Sequence, residues 1–117
     1  MTAYAVGHLL PAAHLHDEIF DYMERIQSTL DPFGGRFLVH GATVELREGE
    51  WPGALVIIGF AGMERARGWY ESEAYQELLP LRTRHMAGDV ILVDGVSPGY
   101  DASATAARFR AAQAEAS

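Results

Sequence analysis

The chain contains no cysteine, no lysine and no asparagine. Without thiols there are no disulfides, no thiolate nucleophile and no thiolate metal centre. All nine basic residues are arginine, set against sixteen acidic ones for a formal net charge of −7. That balance argues against a general nucleic-acid binder, which needs clustered cations to neutralise phosphates. The lack of both lysine and asparagine is what G+C-rich coding gives, so no arginine gains weight merely for being arginine. No apolar run reaches the roughly 20 residues that span a bilayer. The first ten residues, MTAYAVGHLL, lack the basic stretch of a secretion signal. A cytoplasmic location with no membrane partner is therefore expected. Also missing are a P-loop, a G-x-G-x-x-G after a strand, a G-x-S-x-G elbow and an H-E-x-x-H helix. No cofactor is expected.

What is present fits one domain: 117 residues, 49% of them hydrophobic. The segment from Gly34 to Ala61 organises the rest. In it Arg36, Leu38 and His40 alternate with Phe37 and Val39, as side chains do along a strand. Arg47-Glu48-Gly49-Glu50 and Trp51-Pro52-Gly53 supply a turn, and Ala54 to Phe60 is apolar on both faces, as in a central strand. Ahead of this, Ala3 to Leu10 alternates as a first strand ended by Pro11. From about Ala12 to Leu30, Leu15, Ile19, Phe20, Met23, Ile26 and Leu30 recur at helical spacing. Downstream, Met63 to Tyr70 and Glu73 to Leu79 read as helical, with Ser72 as a cap and Pro80 as a break or kink. Asp89 to Val96 gives a fourth strand. Residues 97–117 are polar and alanine-rich, a tail or terminal helix beyond a domain complete by residue 96.

Two strand-helix-strand units with right-handed crossovers predict an α+β fold, βαββαβ, with an antiparallel sheet in the order 4-1-3-2 and both helices on one face. The opposite face, by simple alternation, carries Tyr4, Val6, Leu38, Leu55, Ile57, Val90 and Leu92. That is too much apolar surface to leave in water, so a second copy of the chain is the expected cover.

GGRFLVHG, the acidic turn before W-P-G, the segment ERARGWYESEAYQ and the closing GDVILVDGV together resemble the bacterial family called domain of unknown function 1330. The similarity covers roughly residues 3 to 96. It implies a ferredoxin-like subunit of the dimeric α/β-barrel superfamily and no established activity. More distant relatives there include monooxygenases, haem-degrading enzymes, isomerases and ligand binders, so the fold leaves the function open. The chain departs from the family pattern at His40, where an arginine is expected, and in its extra tail.

His8 and His40 are the candidate catalytic pair. Strands 1 and 2 run parallel with strand 3 between them, and alternation sets both rings at one end of the partner-facing side, about 10 Å apart. Such a pair suits acid–base work on a small molecule; the plainer alternative is hydrogen bonding to the partner or to water. Arg36 and Asp94 are expected further along that face, with Tyr4 beside Asp94, as an anion-holding group or an ion pair. Trp51, Trp69, Tyr70 and Tyr75 are candidate pocket walls, or else core and interface anchors. Arg82 and His85, after Pro80, reach towards a cleft mouth. His14-Leu15-His16 at a helix start splays its rings, and a metal would need Asp17 or Glu18 plus a distant ligand; no metal site is expected. Two functions stay open: a small enzyme or binding protein for an apolar or aromatic metabolite, and a homodimeric interaction module without chemistry.

Overall fold

A computed structural model describes residues 1–116. The central strand β1 (Ala3–Leu10) pairs antiparallel on one side with β3 (Ala54–Phe60) and on the other with β4 (Ala87–Asp94). β2 (Arg36–His40) adds to the outer side of β3, giving the order β2-β3-β1-β4. This is the expected sheet read from its other edge. Helices α1 (Asp17–Leu30), α2 (Met63–Glu71) and α3 (Glu73–Thr83) cover one face, and α4 (Ala102–Ala116) follows the sheet. None of the described α4 residues is buried. No helix among the described residues is long and apolar enough to cross a membrane.

The core is aromatic because the central strand is not bulky. β1 turns Ala3, Ala5 and Gly7 towards the helices, and Trp69, Tyr75, Leu30 and Leu78 descend to fill the gap. Burial of four such side chains stabilises the fold by about 1.5–3 kcal/mol each. The buried stripe of α1 is Ile19, Tyr22, Ile26 and Leu30, whereas Phe20 and Met23 stay largely in solvent. Tyr22 therefore takes the inward place that hydropathy alone gives to Phe20. α1 starts later than its periodicity suggests, because the His16 side chain accepts the Glu18 N–H and fixes the cap there. Past α1, a 3₁₀ turn over residues 31–33 ends at Gly34, whose φ of 69° turns the chain into β2. α3 runs through Pro80 instead of breaking there. Pro80 forfeits one helical hydrogen bond, and burial of Leu78 and Arg82 on either side of it holds the helix together.

Two departures from simple alternation decide which side chains share a face. In β2, Phe37 pairs with Ile58 but Val39, not Leu38, pairs with Ile57. Leu38 is the extra residue of a β-bulge, and parity flips beyond it. His40, opposite Val56, consequently faces the helices. In β4, whose DVILV run is apolar at every central position, pairing puts Asp89, Ile91 and Val93 opposite His8, Val6 and Tyr4 on the open face. Val90 and Leu92 turn inward, contrary to the simple alternation, and Leu92 packs on the core. Asp94 pairs with Ala3 and so falls on the helix side.

Candidate functional site

The helix-side residues of β1 that are too small to fill their layer leave a cleft. Its floor is Ala5, Gly7 and Leu9 with Val56 and Ile58, and its roof is Tyr22, Met23 and Ile26 of α1 with Trp69 and Tyr75. The inner part is narrow, about 50 Å³. Beside it is a wider hollow of about 220 Å³ between Leu15 and Ile19 on one side and Ala54 and Met86 on the other. Leu9, Tyr22, Met23 and His40 line both, so the two are neighbours under α1.

Polar groups are few. The His40 ring stacks on Phe37 with centroids 4.6 Å apart. The bulge makes this contact, since it puts residues 37 and 40 on one face of a strand. Deep inside, the hydroxyls of Tyr22 and Tyr75 are 2.7 Å apart. Burial, reinforced by the neighbouring Tyr22, pushes the Tyr75 hydroxyl well above the usual phenol range. Tyr75 is thus a neutral hydrogen-bonding group and not a base at ordinary pH. The Arg82 guanidinium lies 5.6 Å from the Tyr22 ring centroid with Arg82 only 6% exposed. Burial opposes its charge, but the Tyr22 and Tyr75 oxygens more than offset that, and it stays cationic. No carboxylate pairs with it among the described residues. Trp69 is held by its indole N–H donating to Thr29 Oγ1 at 3.0 Å, while that hydroxyl donates to the Ile26 carbonyl.

The residues singled out from sequence divide between two faces. His40, Trp69 and Tyr75 line the cleft, and Tyr70 packs beside Trp69 and Tyr75 on the core. His8, Tyr4 and Arg36 belong to the open face, and Asp94 is at the far edge strand on the helix side. His8 and His40 do fall at one end of the sheet, opposite Leu55 and Val56, but the bulge puts them on opposite faces. They cannot act as a pair on one ligand. Arg36 and Asp94 likewise lie on opposite edges and opposite faces, and they form no ion pair. Trp51 folds over the open face and stacks on His8 at 4.2 Å. Gly53 lies so close beneath that a Cβ there would come within 2.7 Å of the His8 ring. This closure leaves His8 Nε2 buried without a hydrogen-bond partner among the described residues. Such an orphan costs about 1–3 kcal/mol. Sequence reasoning missed Ala5, Gly7 and Tyr22; its available signal was a central strand with no bulk on its helix-facing side.

The chain belongs to the family described as domain of unknown function (DUF1330), whose model matches residues 2–96. No curated protein sequence matches it. Among solved structures it is similar to a protein of unknown function from Rhodopseudomonas palustris, with TM-score 0.62 at 14% identity, covering 83% of this chain and 84% of that one. It is also similar to SnoaB, a cofactor-independent oxygenase from Streptomyces nogalater, with TM-score 0.51 at 13% identity over 86% of this chain and 96% of that one. An antibiotic biosynthesis monooxygenase gives TM-score 0.50 at 16% identity over 83% and 100%. At these identities the likeness is one of fold: α+β, ferredoxin-like, of the kind found in those oxygenases.

Proposed function

We propose that the chain is a homodimeric protein that binds, and as a small enzyme transforms, an apolar or aromatic metabolite held in the helix-side cleft. The observation that supports this is the cleft itself: apolar walls, the His40 imidazole on its lining, and the buried Tyr22–Tyr75 hydroxyl pair with Arg82 over the Tyr22 ring. Sites of this composition bury an apolar ligand and orient it by a few polar groups. His40 supplies the imidazole that exchanges a proton with bound ligand. Tyr22 and Tyr75 donate to, or accept from, a ligand oxygen, and Arg82 favours partial negative charge on it. Fold likeness to two oxygenases is in keeping with a small-molecule role and assigns no reaction. The interaction-module alternative draws on a different observation, the closed packing of Trp51 and Gly53 on His8, which takes up the space beside that ring on the open face.

Filling the cleft tests the reading. A Cβ at Gly7 meets only ordinary contacts at 3.7 Å or more, so Gly7→Val should fold while occupying the cleft floor. Titration of the wild-type chain with 2-naphthol, read by Trp69 fluorescence, is expected to saturate, and Gly7→Val to abolish the change. Once a turned-over compound is found, His40→Gln should lower the rate by about 10²–10⁴-fold with binding retained. Equal naphthol binding by Gly7→Val would remove the cleft as the site.

A further inference from the structure

The start of α1 and the segment after α3 meet in a cluster that the cleft chemistry does not use. One ring nitrogen each of His16 and His85 and a Glu18 carboxylate oxygen all lie within 4.8 Å of one another. From this arrangement we infer a site for a divalent transition ion of the zinc class, held by His16, Glu18 and His85. It rests on none of the cleft's properties.

Two imidazole nitrogens and one carboxylate oxygen are a donor set that zinc takes, with distances of about 2.0–2.2 Å and a fourth position left to water. Such a set selects zinc, nickel or copper over magnesium and calcium, which prefer all-oxygen shells. Each donor already makes a contact that an ion can replace. His85 Nε2 and Glu18 Oε1 share a proton across 2.7 Å, in the position the ion would take. His16 Nδ1 accepts the Glu18 N–H at 3.0 Å, so its lone pair is spent on the helix cap and must be released from that bond to reach an ion. Arg84 Nη1 donates to both Glu18 oxygens, Oε2 at 3.0 Å and Oε1 at 3.1 Å, which fixes the carboxylate in place, and an ion on Oε1 would have to loosen the second of these bonds. Glu18 and His85 are about three-quarters sheltered, which limits competition from water. Opposing the ion are the Arg84 charge and the positive end of the α1 dipole; Asp17 and Glu18 in the first turn offset both. The two rings stack in parallel, 3.7 Å apart at 7°, so binding requires one imidazole to turn its lone pair towards the ion. At a partly exposed helix start that rotation is a low-barrier side-chain motion. The exposed His14 has no part in the set.

The experiment is calorimetric titration of the tag-free, chelator-stripped full chain with Zn²⁺ alone at pH 7.5, with Mg²⁺ in parallel. Expected is saturable one-to-one Zn²⁺ binding and none of Mg²⁺. Affinity should fall as the pH is lowered, because protons compete with the ion for imidazole and carboxylate donors. His85→Gln keeps the hydrogen bond to Glu18 but offers no imidazole, and His16→Ser keeps a helix cap; each should weaken binding by about tenfold or more. His14→Gln should leave it unchanged. The inference is overturned by absence of saturable binding at millimolar Zn²⁺, by equal Mg²⁺ binding, or by wild-type affinity in both His85→Gln and His16→Ser.

Discussion

Single side chains in this protein matter mostly through where the backbone lets them point. His40 is the clearest case, because its residue type drew attention from sequence while its direction depended on a neighbour. Trp69 and Tyr75, read as either walls or anchors, are both at once: fully buried, mutually packed at 4.2 Å, and exposed to the cleft on one side. Their polar atoms are hydrogen-bonded to buried neighbours, so removing one partner takes a bond from the other. Tyr75→Phe keeps the ring and its packing but leaves the buried Tyr22 hydroxyl without its 2.7 Å partner. The expected loss is about 1–2 kcal/mol of unfolding free energy, measurable by urea denaturation. Tyr22→Phe should cost a similar amount, and the double change less than the sum, because it removes both halves of one bond. Strict additivity would mean the two hydroxyls do not support each other.

Among the elements, β2 and β4 show what a sequence can and cannot state. The order of strands and helices was legible, since β1 alternates, α1 has a helical stripe and Gly-Pro punctuation separates the pieces. Face assignment was legible only where one side of a strand is polar or small, as in β1. β4 reads DVILVD, apolar at all four central positions, so either parity satisfies the pattern and only pairing with β1 decides. β2 is five residues long, and nothing in RFLVH marks Leu38 as the bulged position. The cluster at the start of α1 was half legible for another reason: His16 and Glu18 are local, but His85 lies 67 residues from Glu18.

That cluster also ties an element boundary to pH. The Glu18 carboxyl is held below its ordinary value near 4.5, chiefly by the hydrogen bond from His85, with Arg84 adding to it and partial desolvation working against. A carboxylate depressed in the folded state contributes stability above its unfolded pKa and loses it as pH falls through the folded one. Wild type should therefore exceed Glu18→Gln in stability at pH 6, and the difference should shrink towards zero below about pH 4. Urea midpoints for both chains across pH 3–7, in the presence of a chelator, provide the check. A gap that persists unchanged at pH 3 would show that Glu18 acts by packing alone.

The whole molecule is lopsided: three helices bury one face of the sheet and none covers the other. On that open face lie Val6, Leu55 and Ile57 at the centre, with Ile91 and Val93 exposed on the β4 side and Leu38 on the β2 side. Correcting the parity of β4 leaves the argument for a partner intact, because Ile91 and Val93 replace Val90 and Leu92 with equally apolar surface. Bulging at Leu38 adds to it, since Leu38 and Val39 both end up on this side. A homodimer joined face to face should bury on the order of 1,200 Å² or more. Ile57 is the residue to test, being central on β3 and opposite Val6 and Val39. Ile57→Glu puts a charge in the middle of the proposed interface but on a face that is open to water in the separated chain. Sedimentation velocity should give a dimer for wild type at micromolar concentration and a monomer for Ile57→Glu, with far-ultraviolet circular dichroism unchanged. If wild type sediments as a monomer, the apolar face must be tolerated in water and the dimer proposal fails; if Ile57→Glu stays dimeric, the chains join through a different surface.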